Sequence, residues 1–332
     1  MPANPEKLKS VKDFSNKNIF FAVARTPQGR TFVGSSDFKV SEIDLTVAKP
    51  ELKEIGAHES YVTGLALAGN VIVSGGYDGK LHWWDIDKKT KIRTIDAHSR
   101  WIRDVKASRD GSFVVSVADD MVGKIWDAKS GKLRHELRGH EAITPTHFGS
   151  MLFAAAISPD GTHVATGDKV GHIVVWNAET GAKETELETP GMYTWDPVQR
   201  RHSIGGIRSL AFSPDGALLA VGGIGKIGNI DHLEGKARIE VFEWKSGKRH
   251  WEFPGDKFNG LINCLEFHPK NEWLLGVGGA NDGLMIFFDV AAKKTLKQDK
   301  LPMHVHRAVL HPEGDGFVAV GHGRLAMYEM KG

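Results

Sequence analysis

One four-residue turn recurs along the whole sequence, and this repeat constrains the fold more than any other feature. In most copies proline fixes φ at the second position of the turn. An Asp or Asn side chain hydrogen-bonds to the nearby backbone, and Gly or Asn tolerates the backbone conformation at the last position. A cruder seventh copy is Ala68-Gly69-Asn70. Neighbouring copies are about 40 residues apart at the shortest, which defines a repeated unit. The six clear copies are Thr26-Pro27-Gln28-Gly29, Ser108-Arg109-Asp110-Gly111, Ser158-Pro159-Asp160-Gly161, Ser213-Pro214-Asp215-Gly216, His268-Pro269-Lys270-Asn271 and His311-Pro312-Glu313-Gly314.

Short apolar runs flank these turns. Gly205–Phe212 and Ala217–Gly223 are typical, because they are brief and bounded by glycine, which favours strands over helices. No segment has a sustained apolar stripe with helical period, so we expect essentially no long helix. Seven such units predict one all-β domain over residues 1–332, although length alone would suggest about two domains.

The end of each unit carries a second signature, an aromatic or aliphatic residue followed by a polar one. Three units also have a histidine upstream, in Ala57-His58, Ala97-His98 and Gly139-His140. With these features the chain resembles the WD40-repeat (G-protein-β-like) family. The resemblance implies a seven-bladed β-propeller. The closing pairs are Trp84-Asp85, Trp126-Asp127 and Trp176-Asn177, weakened elsewhere to Ile43-Asp44, Phe242-Glu243, Phe288-Asp289 and Tyr328-Glu329.

In that family, a His, a Ser or Thr, an Asp and the Trp form a buried hydrogen-bonded chain that stiffens a blade. Two units of this sequence match it in full. In a third unit, Val170 replaces the Asp, so we expect that network not to close, since a buried network is strong only when every member is satisfied. The complete sets are His58, Ser74, Asp78 and Trp84, and His98, Ser116, Asp120 and Trp126; the incomplete set is His140, Thr166 and Trp176.

The last unit ends one strand short of the others. The segment Leu8–Phe14 precedes the first unit and has no unit of its own. We therefore expect residues 1–15 to supply the outer strand of the last blade, because such pairing would cover an exposed sheet edge and join the two ends of the chain.

Three loops make their units longer than the repeated unit, at residues 141–150, 189–203 and 224–236. They lie at equivalent connections of a four-stranded meander, so we expect all three on the same face, over blades four and five. Tyr193, Trp195 and Arg200 are of the residue types enriched at binding hot spots. The alternative is that Tyr193 and Trp195 fold back to fill a gap between blades.

A second candidate surface follows from aligning the starts of the inner strands. In WD40 proteins these positions, with the residue before the turn Asp, face outward around the channel and commonly contact partners. Tyr61, Tyr77, Trp101 and Arg103 would form an aromatic and cationic patch suited to a peptide or protein. The alternative is ordinary channel lining. Further partner-binding candidates are Asp119, Arg208, Asn281 and His306, and the residues six before each proline position are Phe21, Thr63, Arg103, Phe153, Arg208, Asn263 and His306.

Few residues point to chemistry. A metal site in the His-rich last unit is weakly indicated, because no Cys or carboxylate accompanies the histidines at ligand spacing. No nucleophile elbow appears. We therefore predict neither catalysis, nor a metal, nor a cofactor. The alternative is a small-ligand binder or propeller enzyme that uses Arg103, Arg208, His304 and His306 at the channel mouth; the last unit's histidines are His304, His306, His311 and His322.

The amino-acid composition limits the classes of partner that the chain is expected to bind. The chain has 332 residues, with 43 Lys+Arg against 41 Asp+Glu and a net charge of +2, so nucleic acid is an unlikely partner despite the pair Arg200 and Arg201. A single Cys excludes an intramolecular disulfide. The first 18 residues lack an apolar core, so we expect no signal, anchor or membrane insertion, and a cytoplasmic location. The predicted function is a protein-interaction scaffold or adaptor, alone or as a subunit of a larger complex.

Overall fold

A computed structural model describes residues 3–147, 149–198, 202–228 and 234–330. Within these residues the only helical elements are two 3₁₀ turns, Pro5–Lys7 and Pro190–Met192, and all other regular structure is β-strand. The prediction of an all-β chain is confirmed. None of the described helical turns approaches the length or the apolar character that crossing a membrane requires.

The described residues form 28 strands. The first half comprises β1 (Leu8–Arg25), β2 (Thr31–Ser35), β3 (Lys39–Ile43), β4 (Leu52–Ala57), β5 (Val62–Ala68), β6 (Val71–Gly76), β7 (Lys80–Asp85), β8 (Thr90–Asp96), β9 (Ile102–Ala107), β10 (Phe113–Ala118), β11 (Gly123–Asp127), β12 (Leu133–Leu137), β13 (Leu152–Ile157) and β14 (His163–Asp168). The second half comprises β15 (His172–Asn177), β16 (Lys183–Glu188), β17 (Tyr193–Asp196), β18 (His202–Gly205), β19 (Ser209–Phe212), β20 (Leu219–Ile224), β21 (Ala237–Glu243), β22 (Lys248–Phe253), β23 (Leu261–Phe267), β24 (Leu274–Gly279), β25 (Gly283–Asp289), β26 (Lys294–Leu301), β27 (Val305–Leu310) and β28 (Gly316–Met330).

The described strands form six large antiparallel sheets, not seven separate blades. Five sheets have four strands in sequential order: β5–β8, β9–β12, β13–β16, β19–β22 and β23–β26. The sixth has six strands, in the order β27-β28-β1-β2-β3-β4, and β17 and β18 form a separate hairpin. The prediction of seven blades was wrong because the long strands β1 and β28 run through the first and last units and merge them into one sheet.

The junction in the six-stranded sheet lies where the two ends of the chain meet. The first part of β1 pairs with β28, from Leu8 opposite Met330 to Ser15 opposite Arg324. The second part of β1 pairs with β2, and the register shifts between Ser15 and Ile19. An ion pair of 2.9 Å between Arg324 Nη1 and Asp13 Oδ2 spans the same seam. The backbone of residues 8–15 therefore covers the edge that β28 would otherwise expose.

The repeated turns have the geometry that their residues favour. In each of the six, the fourth residue donates its backbone N–H to the carbonyl of the first, at 2.8 to 2.9 Å. The exit glycines Gly111, Gly161, Gly216 and Gly314 have φ between 70° and 74°, where a side chain is strained. These turns return each inner strand to the next strand of its sheet.

The apolar core lies between successive sheets. Trp83 and Leu81 of one sheet pack in a single cluster with Ile102 and Val105 of the next. Equivalent clusters continue around the molecule and close it, since Phe20 and Val33 of the first unit pack with Val318 of the last. Sheets packed face to face in a closed ring form a β-propeller, with the inner strands around a central channel.

Candidate functional site

A one-directional chain of hydrogen bonds stabilises the β5–β8 sheet. Trp84 Nε1 donates to Ser74 Oγ at 2.7 Å, and Ser74 Oγ lies 2.7 Å from His58 Nε2. His58 Nδ1 lies 2.9 Å from Asp78 Oδ2. A carboxylate only accepts, so Nδ1 carries the proton and Nε2 accepts from the serine. The next sheet repeats the chain with His98, Ser116, Asp120 and Trp126 at 2.7 to 3.1 Å.

The third unit corrects the expectation that its network stays open. Trp176 Nε1 donates to Thr166 Oγ1 at 2.9 Å, and His140 Nε2 lies 2.8 Å from the same hydroxyl. The carboxylate comes from Asp168, whose Oδ2 is 2.9 Å from His140 Nδ1. Asp168 is the last residue of β14, two positions before Val170, and it also accepts from the Val170 backbone N–H at 3.0 Å. Three sheets therefore carry a complete network.

The electrostatics of these networks indicate a structural role. Burial alone would raise the pKa of Asp78, but the hydrogen bond and charge of His58 and two backbone amides lower it to about 2. His58, Asp78 and His82 are the one group of metal-ligand type close enough together among the described residues. Both nitrogens of His58 already take part in the network, so this group leaves no lone pair of that ring free for a metal.

The side chains of the predicted aromatic and cationic patch lie close together, at the β5–β8 and β9–β12 sheets. Tyr77 and Trp101 stack with ring centroids 4.3 Å apart and planes 6° apart. Tyr61 continues the row, 5.7 Å from Tyr77, and Phe38 lies 5.7 Å from Tyr61. Trp101 is 49% exposed, and Tyr61 and Phe38 are each 39% exposed. These aromatic rings form a continuous accessible strip.

Arg103 is fixed behind this strip. Its Nε and Nη2 each donate to one oxygen of Asp119 at 2.7 Å, and Nη1 donates to the Tyr77 hydroxyl at 2.6 Å. Its guanidinium carbon lies 5.0 Å from the Tyr77 ring centroid and 5.2 Å from that of Trp101. A bidentate pair holds Arg in a defined plane, so Asp119 orients the cation that supports the stacked rings. Burial raises the pKa of Tyr77, which keeps its hydroxyl protonated.

A central cavity of about 430 Å³ opens beside the patch. All seven residues aligned six before the proline positions line it, one from each repeated unit. The four residues of the alternative small-ligand hypothesis, Arg103, Arg208, His304 and His306, are among its lining residues as well. The alignment of turns thus predicted which side chains surround the cavity, and Arg103 belongs to both the cavity and the aromatic patch.

The histidines of the last unit form a triangle at this cavity. The rings of His304, His306 and His322 are 5.0 Å apart, centroid to centroid, in every pair. Burial lowers the pKa of all three, so they are neutral near pH 7. Both nitrogens of His304 are engaged, Nδ1 with the Ala280 carbonyl at 2.5 Å and Nε2 with the Asn263 amide at 2.9 Å. His311 is not among the residues that line the cavity.

The described parts of the three long loops contact one another. The Tyr193 hydroxyl lies 2.5 Å from Thr146 Oγ1, which links loop 189–203 to loop 141–150. The backbone N–H of Ile227 donates to Thr194 Oγ1 at 3.0 Å, which links loop 224–236 to the same hairpin. Tyr193 and Trp195 are partly buried. The Tyr193 side chain therefore serves a contact between loops.

Other candidates lie elsewhere. Asn281 is exposed in the connection between β24 and β25 and does not line the cavity. Arg200 lies outside the described residues. Our prediction omitted Phe38, although it directly follows the turn Asp37 in the sequence. In the structure Phe38 has a φ of 73°, which is unusual for a bulky residue. It also omitted Arg307, whose position beside His306 in the sequence was the available signal.

The sheets, turns and cavity define a β-propeller built from repeated units. Three segments match the family model of the "WD domain, G-beta repeat", at residues 49–85, 89–127 and 195–226. The chain therefore carries WD40 repeats, as its turns and Trp-Asp pairs predict.

Relatives among curated proteins include three of different description. Nuclear distribution protein PAC1-2 of Uncinocarpus reesii is 31% identical over 176 residues, 48% of this chain and 35% of that protein. Apoptotic protease-activating factor 1 of Homo sapiens is 27% identical over 217 residues, 63% of this chain and 16% of that protein. Eukaryotic translation initiation factor 3 subunit I of Culex quinquefasciatus is 26% identical over 174 residues, 52% of this chain and 47% of that protein. The matches thus span less than half the length of each relative.

Proposed function

We propose that this WD40-repeat protein is a non-enzymatic interaction scaffold that binds a protein or peptide on the narrow face. The observation that carries the proposal is the Tyr77–Trp101 stack, with Trp101 half exposed and Arg103 held beneath it. WD40-repeat proteins are typically protein-interaction scaffolds. A relative named as a subunit of a translation initiation factor supports membership of a larger complex. We place the protein in the cytoplasm, and its net charge of +2 argues against nucleic acid as a partner.

The rigidity of the patch supports this proposal energetically. Large aromatic rings supply contact area with only two rotatable side-chain bonds, so little entropy is lost when a partner covers them. The Asp119 pair and the Tyr77 hydroxyl already fix Arg103, so its guanidinium needs no reordering on binding. Rigid aromatic and arginine anchors of this kind carry most of the energy at interfaces.

The test is a comparison of captured proteins from the native cell, identified by mass spectrometry. The tagged wild type is compared with Trp101→Ala, which removes exposed ring area and leaves the core intact. Ile92→Ala is the matched control, since Ile92 is 46% exposed on the outer strand β8. We expect proteins that the wild type and Ile92→Ala both retain and Trp101→Ala loses. Equal capture by all three folded proteins would contradict the proposal.

A second candidate function is the binding of a small ligand in the central cavity. It is favoured by one observation: Arg103, Arg208, His304 and His306 all line the same space of about 430 Å³. Cavities of this size suit small molecules. A thermal-shift screen of metabolites tests it, and we expect stabilisation by a compound whose effect is lost when Arg208 is replaced. Absence of any stabilising compound would count against a cavity ligand and leave the scaffold proposal intact.

A further inference from the structure

Arg208 differs from the other two arginines of the central cavity. Arg103 pairs with Asp119, and Arg307 pairs with Asp104 at 3.0 Å. No hydrogen bond or ion pair joins the Arg208 guanidinium to another residue in the described part of the chain. Its guanidinium carbon lies 3.7 Å from the Phe153 ring centroid, so one face of the cation is covered and its N–H groups remain free.

This arrangement is unfavourable for the stability of the folded chain. Burial and the nearby charge of Arg103 lower the pKa of Arg208 to about 10. The group still carries its charge near pH 7, in a partly buried position where no described residue accepts a hydrogen bond from it. Proteins rarely leave a buried charge unpaired, because its lost hydration is not replaced. A local feature that costs stability without a structural return is expected at functional sites.

A second residue of the same cavity also has an unpaired polar group. His306 Nε2 is buried and makes no hydrogen bond to any residue that the structure describes. The His306 ring is held between neighbours, 5.0 Å from both Phe21 and His322, and it lines the cavity. A neutral imidazole carries one N–H, on either of its two ring nitrogens. Two residues with an unpaired polar group among the described residues, one charged and one neutral, therefore line one space.

The charges of the cavity indicate the class of ligand. Three arginines face it, and the carboxylates of Asp119 and Asp104 neutralise two of them. The three neighbouring histidines are neutral near pH 7. Among the residues that line the cavity, one positive charge remains unpaired, which matches a single carboxylate better than a phosphate dianion. A guanidinium edge binds a carboxylate through two parallel hydrogen bonds.

We propose that the central cavity binds a carboxylate group, with Arg208 as its charge partner and His306 as a neutral neighbour. This inference rests on the proposed functions, because a free acid is a small ligand of the second and a peptide side chain belongs to a partner of the first. The carboxylate comes either from a free organic acid or from an acidic side chain of a bound peptide. The chemistry at Arg208 is the same in both cases, and the probes below distinguish the two sources.

The test uses the full chain and thermal shifts at constant ionic strength. The probes are acetate, a blocked Gly-Glu-Gly peptide, its Gln counterpart and inorganic phosphate. The variants are Arg208→Gln and the control Arg109→Gln, which removes an exposed arginine in a turn. We expect the Glu peptide or acetate to raise the Tm of the wild type and the control, phosphate to do less, and Arg208→Gln to abolish the response.

A further readout separates ligand binding from a structural role. Without any probe, Arg208→Gln should keep or raise the Tm, because it removes an unpaired charge next to Arg103. A response to the Glu peptide alone assigns the carboxylate to a peptide, and a response to acetate assigns it to a free acid. Equal responses to the Glu and Gln peptides would overturn the carboxylate and leave a cavity ligand. No response to any probe, or a response that survives in Arg208→Gln, would overturn the site itself.

Discussion

Two sheets of this propeller perform the same structural task with different chemistry. In the β5–β8 sheet, Ser74 lies two residues after the partner of Trp84 and joins Trp84 to His58 by hydrogen bonds. In the β19–β22 sheet, the same register position is Val221, and Phe242 replaces the tryptophan. Val221 is fully buried in a cluster with Phe242 and Trp244.

The difference teaches that the polar network is one of two complete solutions for the interior of a sheet. A buried hydroxyl is stable only when its partners are all present, and an apolar side chain of similar size needs none. In the β23–β26 sheet, the position is Gly276 and the aromatic residue is Phe288. The Trp-Asp signature therefore reports the polar solution, and the fold persists where the signature fades.

The largest effect on stability is expected in the six-stranded sheet, which has Val33 at the position equivalent to Ser74. Its integrity depends on the pairing of residues 8–15 with β28. Deleting residues 1–15 should lower the Tm by roughly 10 °C or more, because the edge of β28 is exposed and apolar contacts around Leu8 are lost. Differential scanning calorimetry provides the measurement. Lys9→Ala is the control, since it removes an exposed side chain and keeps the pairing; an unchanged Tm in the deletion would contradict the role of this seam.

A smaller effect is expected from breaking a network. Ser74→Ala should cost roughly 2–4 kcal/mol of unfolding free energy, because Trp84 Nε1 and His58 Nε2 both lose their partner in a buried site. Urea denaturation checks this value. Ser99→Ala, at an exposed serine in the adjacent loop, should change stability by less than about 0.5 kcal/mol. Similar effects of the two substitutions would show that the network adds little.

The converse substitution sharpens the comparison. Val221→Thr keeps the shape of the side chain and places a hydroxyl in the apolar cluster of the β19–β22 sheet. We expect a loss of about 1–3 kcal/mol in the same urea assay, because the hydroxyl loses water without gaining a side-chain partner. Val221→Ile, which stays apolar, is the matched control. If the threonine variant is as stable as the wild type, the two solutions are interchangeable and the comparison fails.

Local pattern was enough to predict much of this fold. The turns are defined by four consecutive residues, and the position aligned six before the proline contributes seven of the twelve residues that line the cavity. The count of sheets was wrong because β1 and β28 continue through a junction that no local signal marks. The closure of the third network was missed because Val170 stands where the sequence pattern requires the Asp, whereas Asp168, two residues earlier, supplies the carboxylate.

The candidate site was less accessible to sequence. Aligning the inner strands placed Tyr77, Trp101 and Arg103 together, but only the structure reveals that Asp119 satisfies Arg103 and that Arg208 has no such partner among the described residues. The two arginines occupy equivalent positions in their units. The Arg103–Asp119 pair lies within one unit, because Arg103 is in β9 and Asp119 directly follows β10.

The smallest effect concerns pH and compares the β5–β8 sheet with the apolar β19–β22 sheet. His82 is buried against His58, their ring centroids 4.0 Å apart, and burial together with nearby charge lowers its pKa to about 3. Below an unfolded pKa of about 6.5 the unfolded chain binds a proton that the folded chain does not, so stability falls with falling pH by up to about 1.4 kcal/mol per pH unit. His82→Phe removes this proton and keeps an aromatic ring against Trp84. Relative to the wild type, the variant should therefore gain about 2 kcal/mol between pH 7 and pH 5 in urea denaturation, while the difference between the two proteins stays constant from pH 7 to pH 9. Parallel curves across the whole range would mean that His82 binds its proton equally well in the folded and unfolded states. The interior of the β5–β8 sheet would then be no more sensitive to acid than that of the apolar β19–β22 sheet.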